Sequence, residues 1–105
     1  MQTTERMNKL HSMLEKDAKD PFLPFAIGME HKKLKQTAEA VEWFKKALER
    51  DGGYCVAYHQ AALAYEDGGD LESAKRTYRE GIAVAQKKGD HHAAEEMEAA
   101  LSMIE

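Results

Sequence analysis

A single cysteine, Cys55, stands among 105 residues, so no internal disulfide can form and no thiolate cluster is available to a metal. Prolines number only two, and β-branched runs are few, which leaves long stretches free for helix. Neither sign of charge dominates. Fifteen Lys and Arg against 19 Asp and Glu give a formal charge of −4, with acids and bases mixed throughout. No basic patch carries interleaved aromatics, which argues against nucleic acid as a partner. No apolar run approaches the roughly 18 residues of a membrane span, so no membrane partner is expected. The opening MQTTERMNKLHSML is polar and lacks the apolar core of a signal peptide, and the expected location is cytoplasmic. Hydrophobic residues at 43% and charged residues at 32% fit one folded, wholly helical domain over residues 1–105.

Residues 57–82, AYHQAALAYEDGGDLESAKRTYREGI, organise the rest. Tyr58, Ala61, Ala62 and Tyr65 recur at helical spacing, then Gly68 and Gly69 break the pattern. Asp70 is placed to cap a second helix, in which Leu71, Ala74, Tyr78 and Ile82 share a face. Small residues (Ala62, Ala74, Gly81) alternate with large ones (Tyr58, Tyr65, Tyr78), so the two helices can approach closely and interlock. Upstream, Asp20-Pro21 opens a helix that carries Ile27, Gly28 and His31. Its partner, from Thr37 to Arg50, presents Ala40, Val41, Phe44, Ala47 and Leu48, and Asp51-Gly52-Gly53 ends it. Met7, Leu10, Met13 and Leu14 mark a first helix. Ala93, Ala94, Met97, Ala100, Leu101 and Ile104 mark a last one, after Gly89-Asp90, that should close the open end. The breaks predict six helices, near 5–16, 21–34, 37–50, 54–67, 71–87 and 91–103.

This pattern resembles the tetratricopeptide repeat (TPR), a helix-turn-helix unit of about 34 residues. The family's order of residue classes is met by Tyr58, Ala61, Ala62, Tyr65, Gly69, Ala74, Tyr78 and Gly81. An earlier copy matches at Ile27, Gly28, Ala40, Phe44 and Ala47, and departs at Pro24, His31 and Lys35. The resemblance implies an all-α superhelix: a half-repeat helix at 5–16, repeats at 20–53 and 54–88, and a capping helix at 90–104.

The resemblance also implies a function, a non-catalytic interaction module whose concave groove receives a peptide or a helix. Mapped onto this chain, the groove face is Phe22, Phe25, Met29 and Lys32 from one repeat, and Val56, His59, Gln60 and Leu63 from the other. Ala26, Lys33, Glu66 and Asp67 belong to the same face. The ligand expected is an amphipathic helix or an extended apolar peptide, held with little sensitivity to salt. The other reading is a self-assembling unit in which this groove, or an exposed helix face, forms a homodimer. End helices folded over the strip would bury it. Phe25 and Met29 are assigned no core role, so removing both should abolish capture and leave helicity intact. If capture survived, the site would lie on the convex side near Trp43. A carboxylate clamp of the kind that binds chaperone tails is not expected, because Phe25, Met29 and Gln60 stand where that variant has lysine and asparagines.

Nothing in the sequence points to catalysis or to a cofactor. His91 and His92 are adjacent, hence about 100° apart on a helix, and suit surface pairs with Glu95 or Glu96 better than a shared ion. No HExxH is present, and no metal site is expected. Cys55 has no histidine placed to activate it and reads as a packing residue.

Overall fold

A computed structural model describes residues 4–105. The order is α1 (Glu5–Lys16), α2 (Phe22–Lys33), α3 (Thr37–Arg50), α4 (Cys55–Asp67), α5 (Leu71–Lys88) and α6 (His91–Ser102). No strand occurs among the described residues. Each helix packs on the one before it, and α2 also meets α4, as α4 meets α6. The shortest dimension is 17 Å, close to two helix diameters of about 10 Å each, so the helices form two layers. One layer holds α2, α4 and α6, and α3 and α5 back it.

The core runs along the stack in three clusters rather than one centre, as expected where each repeat touches only its neighbours. Met7 and Leu10 of α1 join Leu23, Ala26 and Ile27 of α2. Ala40, Val41 and Phe44 meet Ala61 and Ala64. Cys55, Ala62, Tyr78 and Ala85 meet Ala94, Met97 and Leu101 of α6. Ala40 and Ala74 are fully buried at the hairpin crossings.

Gly28 shows why small residues are needed. A Cβ there would stand 2.6 Å from Phe44 Cε1, so α2 and α3 cross at a distance that only glycine permits. Gly81 has the same role in the next hairpin, where a Cβ would meet Tyr58 Cβ at 2.7 Å.

Helix starts and ends follow local chemistry. The Asp70 carboxylate accepts from Ser73 N at 3.1 Å and from the Ser73 hydroxyl at 2.7 Å. These bonds hold its pKa below the ordinary carboxylate value. Asp20 accepts from Phe22 N at 2.9 Å, with Pro21 just outside the helix rather than as its first residue. The basic ends of α3 and α5 tie each hairpin to the loop that precedes it. Arg50 donates to the carbonyls of Asp17 and Asp20, and Lys88 to that of Gly53 at 2.7 Å.

Candidate functional site

The groove residues lie on α2 and α4, which are held side by side. Lys32 Nζ of α2 donates to Gln60 Oε1 of α4 at 2.7 Å. Phe22 and Val56, one turn or less from the helix starts, are 47% and 50% exposed. Neither α1 nor α6 covers them, so the strip is not closed by the end helices.

Phe25, Met29 and Leu63 are only half-buried, and two of them correct the expectation above. Phe25 and Met29 pack against the cluster of Val41, Phe44 and Ala61. The Phe25 ring lies 5.6 Å from Phe44 and 5.5 Å, edge-on, from Tyr54. Each therefore gives one side to the core and the other to the face, and removing both must cost stability. Ala26 is corrected too. It is buried beneath α1 and does not reach the face. Helical spacing assigns a direction but does not tell which helix will fill it.

On α4 the face turns polar. The His59 ring sits edge-on to Tyr78 at 5.8 Å. Burial is the main cause of its lowered pKa, Lys32 adds to the fall, and Glu96 and Glu66 oppose it. The Tyr78 hydroxyl donates to Glu66 Oε2 at 2.5 Å. Burial, then Glu66 and Asp67, push the tyrosine far above its usual value, so it stays protonated. His92 pairs with Glu96 at 2.9 Å, the i, i+4 surface contact expected from the sequence.

Among the described residues no group of three or more His, Cys, Asp or Glu is placed to hold a metal ion. No helix among the described residues is long and apolar enough to cross a membrane. Cys55 is buried, with its thiol turned to the Gly53 carbonyl at 3.5 Å, and burial raises its pKa.

Two well-formed concavities lie away from the groove, in a furrow between α3 and α5. One of about 360 Å³ is lined by Val41, Glu42 and Asp70 among others, and one of about 220 Å³ by Leu48, Arg76 and Glu80. They share Lys45 and Tyr65. Sequence reasoning missed this furrow, since it needs the gap that α4 props open between two helices that never touch. Trp43, the convex alternative, is not free. Its ring is met edge-on by His11 at 5.2 Å and covered by Lys46 Nζ at 4.2 Å.

The sequence profile of the tetratricopeptide repeat matches residues 25–54 and 56–88. Over 88 residues the chain is 28% identical to a TPR repeat-containing protein of Pseudomonas aeruginosa, with 84% of each chain covered. Its backbone superposes on a tetratricopeptide repeat domain protein from Salinibacter ruber with a TM-score of 0.77 at 30% identity, covering 85% of this chain and 90% of that one. A Bordetella parapertussis protein gives a TM-score of 0.82 at 26% identity, over 99% of this chain and 89% of the other.

Proposed function

We propose, from the premise that this chain belongs to the tetratricopeptide-repeat family, that it is a non-catalytic module that captures a protein segment on the face shared by α2, α4 and α6. The observation that carries the reading is the pair of large apolar side chains left in solvent there, Phe22 and Val56. They continue into the half-buried Phe25, Met29 and Leu63. An apolar strip that a monomer leaves open gains free energy at about 25 cal/mol per Å² when a partner covers it. Met29 and the two phenylalanines suit an apolar side chain of varied shape. His59, Gln60 and Lys32 supply polar groups that can orient the bound chain.

A second copy of the chain is the other candidate occupant, and solution size separates the two. Sedimentation of the protein alone gives a monomer if the strip is free, and a dimer dispersed by Phe22→Ser with Val56→Ser if the strip is the interface. For a heterologous partner, the same double variant keeps the helical circular dichroism signal and loses the proteins retained by the wild type. Unchanged retention by a folded double variant would place the site elsewhere.

A further inference from the structure

His59 lies one turn from Val56 and one from Leu63 on α4, and it is half-buried. Among the described residues its ring joins no hydrogen bond and no ion pair. No buried side-chain nitrogen there lacks a partner, so both ring nitrogens of His59 reach solvent. The aromatic edge that Tyr78 of α5 offers at 5.8 Å gives them nothing to bond. The charges that act on the ring are Lys32 from α2, Glu66 from α4 itself and Glu96 from α6. Each is engaged elsewhere: Lys32 with Gln60, Glu66 with the Tyr78 hydroxyl, and Glu96 with His92. Water is therefore the direct partner of a protonated His59.

We propose that capture on the concave face is coupled to loss of a proton from His59, so that the protein holds its partner at neutral pH and releases it as the solution acidifies. The inference rests on the concave face being the binding site. An apolar segment laid over Val56 and Leu63 displaces the water at the ring. The imidazolium has two N–H donors to satisfy and a charge to solvate, whereas the neutral ring has one donor and one acceptor. Losing water therefore costs the charged form more. Burial in the free protein already favours the neutral ring, and the occupant adds to that burial. The bound ring thus takes up its proton at a lower pH than the free ring. Affinity is full above about pH 6.5 and falls below it, by at most about tenfold per pH unit.

The test uses a labelled amphipathic peptide of about 14 residues with a leucine pattern and glutamine at its polar positions, so that no side chain of the probe titrates. Fluorescence anisotropy with the full chain is expected to show binding at least about threefold weaker at about pH 5.5 than at about pH 7.5. His59→Gln should remove that dependence, and His91→Gln with His92→Gln should keep it. In the wild type, nuclear magnetic resonance of the His59 ring should give a lower titration midpoint with the peptide bound than without it. Equal midpoints, or equal affinity at the two pH values, overturn the proposal. The binding face itself survives that result if Phe22→Ser with Val56→Ser still weakens capture. A dependence that persists in His59→Gln, or that vanishes with His91 and His92, overturns the proposal by placing the proton elsewhere. Failure of the peptide to bind at either pH overturns the proposal and the groove together.

Discussion

The hairpins α2–α3 and α4–α5 close their turns through the same three backbone hydrogen bonds with different residues. Leu34, Lys35 and Gln36 donate to Glu30, Lys32 and His31, just as Gly68, Gly69 and Asp70 donate to Ala64, Glu66 and Tyr65. The left-handed residue is Lys35 with φ 62° in the first and Gly69 with φ 81° in the second. At the start of the following helix, Asp70 caps α5, while Gln36 gives α3 no side-chain cap and instead accepts from His31 Nδ1 at 2.6 Å. The central aromatic is Phe44 in one and Tyr78 in the other, and only the tyrosine needs an acceptor, which Glu66 provides. The register position of Glu66 in the first hairpin holds Lys32, turned outward to Gln60. Backbone geometry is thus common to the two hairpins. Side-chain identity at fixed register decides what each presents to the concave face.

The largest test of the shared geometry is at the crossings. Gly28→Val and Gly81→Val should each cost about 3 kcal/mol in denaturant titrations, despite valine's better helix propensity, because the added atoms meet Phe44 and Tyr58. Indifference at either glycine would break the equivalence. Ala74→Leu should cost somewhat less, about 2 kcal/mol, because it adds atoms to the same fully packed layer. Tyr78→Phe should also cost about 2 kcal/mol, since Glu66 loses a short donor in a half-buried place. Its mirror, Phe44→Tyr, should destabilise as well, because no carboxylate occupies the matching position.

Turn residues come next. Lys35→Gly should stabilise by about 1 kcal/mol and Gly69→Lys destabilise by about the same, since only glycine adopts positive φ without strain. The two effects should nearly cancel in the double variant, because the turns are far apart. For His59 the folded state favours the neutral ring, so the unfolded chain takes up a proton first as the pH falls. The stability this group contributes is full above about pH 6.5 and is lost as pH falls below it. His59→Gln should flatten the midpoint against pH between about 7 and 5. Lys87→Ala, on the exposed side of α5, should change stability by less than about 0.5 kcal/mol.

The helices were legible because their signals are local: the stripes on α3 and α5, the glycine breaks, and Asp70 three residues before Ser73. The left-handed conformation of Lys35 in the turn was not, because a lysine gives no sign of positive φ, and the geometry there is imposed by the packing of α2 on α3. The burial of Glu30 also escaped notice. It is nearly fully buried, accepts a hydrogen bond from the Thr4 hydroxyl and is paired with Arg6 and Lys33, and Thr4 and Arg6 arrive from the α1 segment. Such a partnership across distant residues has no periodic trace. The groove was half legible. Spacing put Phe25 and Met29 on the concave side, but only the fold shows that Phe44 and Tyr54 take up part of Phe25 and that the cluster around Phe44 takes up part of Met29.

Nuclear magnetic resonance of the full chain, titrated with an amphipathic leucine-patterned peptide of about 14 residues, bears most directly on which face is used. The expected result is a continuous set of shifted signals at Phe22, Phe25, Met29, Val56, His59 and Leu63, with Val41, Lys45 and Arg76 unmoved. Shifts running instead along Val41, Lys45, Tyr65 and Arg76 would contradict the concave site and assign binding to the furrow between α3 and α5.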